Sequence, residues 1–135
     1  MLAPCEIAVK CVLPSVRAMI AEKLVNKHNL NQAEAAKLLG VSQPAISLYC
    51  RKIRGKTINL ENDHAIENLI ERLAERLAKS KLPYKEFILR LCEICRTIRA
   101  KGLLCETHKV FDPSIDIENC GICSTPNSLA YLADS

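Results

Sequence analysis

The sequence predicts an all-α fold, and three observations carry that expectation. Apolar residues make up 49% of the 135 positions but aromatics only 4%, with no tryptophan, so a core has to be built from Leu, Ile, Val and Ala. Apolar side chains recur at intervals of three and four, the period of a helix with one buried face. Four glycines and six prolines are too few for a β-sandwich or a disordered chain. The chain divides into residues 1–57, a connecting segment at 58–82, and a cysteine-rich part at 83–135.

Residues 4–10 form a short, mildly helical stretch with Cys5 and Cys11 near its ends. Pro14 is expected to open the next helix, because proline is tolerated in a first turn. Val16, Met19, Ile20 and Leu24 give that helix a buried stripe, with Arg17, Glu22, Lys23 and Lys27 on the other face, and it should end near residues 28–29. His28 reads as a polar residue at a helix end. Asn31 is an N-cap, with Glu34 three residues on completing a capping-box pattern.

Residues 32–51, QAEAAKLLGVSQPAISLYCR, read as two short helices around a tight turn. Ala35, Ala36 and Leu39 make the apolar face of the first. Gly40 stands where the chain needs a positive φ, and Val41 fills the angle between the helices. Ser42 caps the second helix and Pro44 falls in its first turn. Ile46 and Tyr49 face back onto the first helix, which leaves Gln43, Pro44, Ser47, Leu48 and Arg51 on the outside.

Ala36, Gly40, Val41 and Ile46 at these offsets resemble the helix-turn-helix of repressor-type DNA-binding proteins. That resemblance implies a second helix lying in the major groove, with Ser42, Gln43, Pro44, Ser47 and Arg51 near the bases and Gln32 bonding a phosphate from the start of its own helix. Gln43 suits adenine, and Arg51 suits guanine or a phosphate. Lys52, Arg54 and Lys56 follow Arg51 closely and suit the DNA backbone beside the groove. The charge agrees. Residues 1–57 hold nine Lys and Arg against three acids, a surplus of six, whereas residues 58–135 hold ten against twelve. A basic half favours phosphate contact through counterion release.

Residues 58–82 hold a helix capped by Asn62 or Asp63, with Ile66, Leu69, Ile70, Leu73 and Leu77 in a heptad-like seam. It is too short for an independent coiled coil, so it packs within the chain or pairs with a second copy. Repressor-type domains usually act as dimers, and a homodimer through this helix is the expectation. After a hinge at residues 81–83, Phe87, Ile88, Leu91, Ile94, Cys95 and Ile98 share a face of a helix that Gly102 ends. Residues 103–135 show little regular pattern before a short helical tail at 128–133.

Eight cysteines are present. Cys5, Cys11 and Cys50 stand apart and read as buried free thiols. Cys92, Cys95, Cys105, Cys120 and Cys123 crowd the last third as C-x2-C-x9-C-x14-C-x2-C, with His108 as a further donor. Two C-x2-C pairs joined by a loop are metal-ligand spacing, because each pair presents two sulfurs to one ion. Arg96, Arg99, Lys101 and Lys109 are placed to favour thiolates. An iron–sulfur cluster of the 4Fe-4S type is favoured, with zinc as the alternative, and neither uses every donor. A disulfide framework is the competing reading, and it fits an exported chain.

The helix-turn-helix, the preceding PCEIAVKCVLPSVRAMIAEKL and the following LCEICR, GLLCETH and CGIC together resemble a group of small archaeal transcriptional regulators. That likeness implies a DNA-binding regulator with a cysteine-rich metal module that braces a dimer or senses redox or metal state. Double-stranded DNA and a second copy of the chain are the expected partners. Alternatives are a zinc-stabilised adaptor or an antitoxin-like protein. A thiol oxidoreductase is disfavoured because no strand pattern precedes either C-x2-C, so no enzymatic activity is expected. The N-terminal segment lacks a basic leader and a cleavage site, and no apolar run reaches the roughly 18 residues of a membrane span, so a cytoplasmic location without membrane contact is expected.

Overall fold

The computed structural model describes residues 2–50, 60, 62–80 and 82–124. Arg51, Lys52, Arg54 and Lys56 and the tail helix expected at 128–133 lie outside them. The architecture is all-α. In chain order the helices are α1 (Pro4–Ile7), α2 (Leu13–Asn26), α3 (Gln32–Leu39), α4 (Gln43–Cys50), α5 (His64–Lys79), α6 (Tyr84–Ala100) and α7 (Cys105–Phe111). A π-helical stretch (Ala8–Val12) joins α1 to α2, and a 3-10 turn (Ile122–Ser124) follows α7.

Pro14 stands at the start of α2 as expected, but α2 runs on from the helical residues before it without a break. The proline lies in the first turn of α2, and the preceding residues absorb it by widening to π geometry, with the Leu13 N–H reaching back five residues to the Ala8 carbonyl. Proline supplies no N–H and crowds the carbonyl four residues back, and an i→i+5 register relieves both problems without breaking the helix. Residues 4–26 therefore form one helical rod. It ends where Asn29 takes φ 58° and the Leu30 N–H bonds the Leu24 carbonyl at 3.1 Å.

That rod is the centre of the molecule. Its α2 part packs against α3 and α4 on one side and α5 on the other. Val16, Ile20 and Leu24 are fully buried there, and buried residues from α1 to the start of α7 form one cluster. The stripe on α5 is spent inside the chain: Ile66, Ile70, Leu73 and Leu77 are buried, and α5 packs on α2 and α6. The seam expected to pair two copies is thus a core surface, and a homodimer has to use another face. Asp63 caps α5, its Oδ1 accepting from the Ile66 N–H at 3.1 Å, and it also holds Lys101 at 3.0 Å.

The charge surplus of the first half is partly consumed by α5. Lys23 pairs with Glu67 at 3.5 Å, and Lys27 pairs with Glu71. The Lys27–Glu71 pair is exposed and adds little stability, but both pairs draw a lysine away from any phosphate.

The chain closes on itself. α1 packs on α7, a helix in the stretch expected to be irregular. The Leu2 N–H donates to Asp112 Oδ2 at 2.9 Å, and His108 Nε2 lies 2.7 Å from the Leu2 carbonyl. Ser114 bonds the same carboxylate through its hydroxyl at 2.5 Å and its N–H at 3.2 Å. The Ser114 hydroxyl first, then the Leu2 N–H, lower the Asp112 pKa from 3.8 to about 2. A lowered carboxylate pKa contributes stability that is full above the unfolded value and lost as pH falls through the folded one. Thermal melts between pH 5 and pH 2 should therefore show the wild type losing stability more steeply below about pH 4 than Asp112→Asn.

Candidate functional site

The turn between α3 and α4 is built by three local devices. Asn31 Oδ1 accepts from the Glu34 N–H at 2.8 Å, fixing the start of α3. Glu34 answers through its carboxylate, which takes the Asn31 side-chain amide at 2.9 Å. Gly40 adopts φ 67°, and the Val41 N–H returns to the Ala36 carbonyl at 3.1 Å, ending α3 in a Schellman-like turn. No atom lies within 4 Å of a Cβ built at Gly40, so the left-handed backbone, not crowding, requires glycine there. Ser42 then caps α4, its Oγ accepting from the Ala45 N–H at 3.2 Å.

These devices fix which face of α4 looks out. Ala45, Ile46 and Tyr49 are buried against α2 and α3. Ser42, Gln43 and Pro44 are exposed, and Ser47 and Leu48 are half-exposed on the same side. Gln32 is half-exposed in the first turn of α3. The expected contact residues that fall within the described part are therefore at the surface, presented by one short helix whose back is locked into the core.

The cysteines form a second region, with an arrangement the spacing alone does not give. Among the described residues, no three or more Cys, His, Asp or Glu side chains converge as a ready metal site. A cavity of about 260 Å³ is nevertheless lined by Cys105, Cys120 and Cys123, together with Arg99, His108 and Pro4. Cys92 is exposed and does not line it, while Cys95 packs partly into the core. The C-x2-C pair on α6 is split in this way because one position of a helix turn faces the core and the other faces water. Ile122 is 53% exposed, whereas Leu91, Ile94 and Leu104 are buried.

Electrostatics at this site also differ from expectation. Burial raises the Cys95 pKa against the pull of Arg99. Burial, then Cys123 and Cys120, raise that of Cys105. For these two thiols burial outweighs the neighbouring charge and favours the protonated form. His108 is 4% exposed, and its Nε2 donates to a carbonyl that can only accept, so Nδ1 is the ring nitrogen left with a lone pair.

Two residues here were not singled out from the sequence as a pair. Cys5, expected to be a buried thiol like Cys11, is exposed, and Arg99 Nη1 lies 3.5 Å from its sulfur. Ninety-four positions separate the two, so no local pattern announces the contact. Cys11 is buried as expected, and burial raises the pKa of the half-buried Cys50.

Among the described residues no helix is long and apolar enough to cross a membrane. Residues 20–62 match the helix-turn-helix family, a match that covers α3, α4 and the last turn-and-a-half of the rod's buried stripe and implies DNA binding. No curated protein and no solved structure matches the chain.

Proposed function

We propose, starting from the helix-turn-helix at residues 20–62, that the protein is a sequence-specific transcriptional regulator that reads duplex DNA with α4 and carries a metal centre on its cysteines. The observation that carries the DNA reading is the outward face of α4, where Ser42, Gln43, Pro44 and Ser47 stand at the surface of a capped helix with a buried back. A helix N-terminus set in the major groove presents its first residues to base edges. Gln43 is the adenine reader, and Arg51, Lys52, Arg54 and Lys56 are the phosphate and guanine contacts. The protein binds as a homodimer on two half-sites, through a surface other than the α5 stripe.

The metal reading is supported by the cysteine spacing and by the cavity shared by Cys105, Cys120 and Cys123. Burial raises the Cys105 pKa, and a bound metal ion would drive that thiol's deprotonation. An iron–sulfur cluster takes four thiolates, as zinc can, and it would supply a redox-dependent charge to the DNA-binding protein. Anaerobic purification followed by a visible spectrum and metal analysis tests this. Broad iron–sulfur absorbance with iron and sulfide is the expected result, and a colourless protein with one zinc would replace the cluster by zinc. Matching DNA affinity in the loaded and stripped forms would remove the sensing role.

A further inference from the structure

We propose that the flank of α6 around Leu89 is the face on which a second copy of this chain docks, the two α6 helices lying antiparallel with each Arg90 set against the partner's Glu93. This rests on the homodimer proposed for the regulator and assigns its surface, which the buried stripe of α5 leaves open.

The inner face of α6 is committed to the core. Leu91, Ile94 and Ile98 are buried, and the helix packs on α5. The other side is uncovered, with Leu89 55% exposed and Tyr84, at the helix start, 80% exposed. Leu89 sits in a shallow hollow walled by Glu86, Arg90, Glu93 and Arg96. At 3.6 residues per turn these positions fall within one stripe of about 120°. Arg90 and Glu93 also line the adjoining hollow between α5 and α6, beside Leu69 and Arg72. The surface therefore continues from one helix onto the next.

The charges on this flank say what fits it. Two carboxylates and two guanidinium groups surround one leucine, so the flank is neutral and does not attract phosphate. Along the helix the signs alternate: Glu86 negative, Arg90 positive, Glu93 negative, Arg96 positive. Read backwards, that order is its own complement. A two-fold axis crossing α6 between residues 91 and 92 brings Arg90 level with the partner's Glu93 and Arg96 level with the partner's Glu86. A parallel copy in register would instead set like charge against like. An isologous contact uses the same patch twice, so a self-complementary pattern is what a second copy requires. Within the chain Glu86 is already held by Arg76 and Arg90. Among the described residues Glu93 and Arg96 have no ion-pair partner.

The same register brings the apolar groups together. The two Leu89 side chains fall about 7 Å apart along the paired helices, close enough to share one contact at the usual separation of packed helices. Leucine supplies the buried centre, and the ion pairs beside it set direction and register. This pairing leaves the reading helix open, because α4 packs on α2 and α3 whereas α6 packs on α5. The resulting two-fold symmetry matches that of two inverted half-sites.

The test is sedimentation equilibrium of the reduced full chain, free and on a DNA duplex, for wild type, Leu89→Glu, Arg90→Glu, Glu93→Arg and an equal mixture of the last two. Leu89→Glu should raise the dimer dissociation constant at least about tenfold. Its helical circular dichroism should be unchanged, because Leu89 is exposed. Arg90→Glu alone and Glu93→Arg alone each set like charges across the axis and should also weaken the dimer at least about tenfold. Mixed together they restore both cross-axis pairs, and dimerisation should return to near the wild-type level. A dimeric wild type with no loss in these variants, or losses that mixing does not recover, would overturn the assignment and leave the homodimer standing on another face. A wild type that stays monomeric both free and on DNA would remove the homodimer, and this surface with it.

Discussion

Replacing Ile46 with alanine is expected to cost about 2–5 kcal/mol of stability and to remove DNA binding with it. Ile46 is fully buried and lies on the side of α4 that packs on α2 and α3. Its removal leaves a cavity where the reading helix, with Ala45 and Tyr49 also buried, is anchored. Against a typical total of about 5–15 kcal/mol, a loss of that size is large. Denaturant titration should show a lower midpoint with an unchanged slope, and thermal melting should fall by roughly 10 °C or more. Ser47, on the opposite side of the same helix, provides the contrast. Ser47→Ala should leave the midpoint within about 0.5 kcal/mol of wild type, so that any change in its DNA affinity is separable from folding.

The second large effect is on binding and comes from salt. If α4 and the cationic stretch after it engage about six phosphates, affinity for duplex DNA should fall by about 10³ between 50 mM and 200 mM salt. The described structure narrows where that charge comes from. Lys23 and Lys27 are paired with Glu67 and Glu71 of α5, so substituting them should leave the salt slope nearly unchanged. Arg51→Ala should instead reduce the slope by about one if it is a phosphate anchor. Fluorescence anisotropy with a labelled duplex across a salt series measures both.

The parts of the fold that were legible in the sequence are those fixed by residues within a turn of one another. Asn31 with Glu34, Gly40 with Val41, and Ser42 ahead of Pro44 each specify a helix end by local hydrogen bonding or backbone geometry, and each does so in the structure. The stripe on α5 was equally plain, but a stripe says only that a face is buried. Whether α2 or a second chain covers it depends on tertiary packing that the periodicity does not encode. Pro14 marked the first turn of α2, but not the unbroken helical run before it, because a first-turn proline and a proline after a π-bulge have the same local sequence. The α7 helix was hidden by its length, since seven residues with exposed Val110 and Phe111 display no apolar stripe.

The candidate site divides in the same way. The outer face of α4 followed directly from its inner face. The cysteine region did not, because ligand spacing treats Cys92 and Cys95 as equivalent, whereas the helix turns one to water and the other to the core. The approach of Cys5 on α1 to Arg99 on α6 joins residues 94 positions apart, a separation that ligand spacing does not encode.

The central claim is that α4 reads base edges, and selection of bound duplexes from a random pool by wild type and Gln43→Ala tests it most directly. Gln43 is exposed in the first turn of α4 and is the proposed adenine reader. The account predicts that wild type enriches a defined sequence, and that Gln43→Ala relaxes preference at one adenine by about 1–3 kcal/mol while the salt slope stays the same. An identical enriched sequence from both proteins, or a uniform loss of affinity across all sequences, would contradict it.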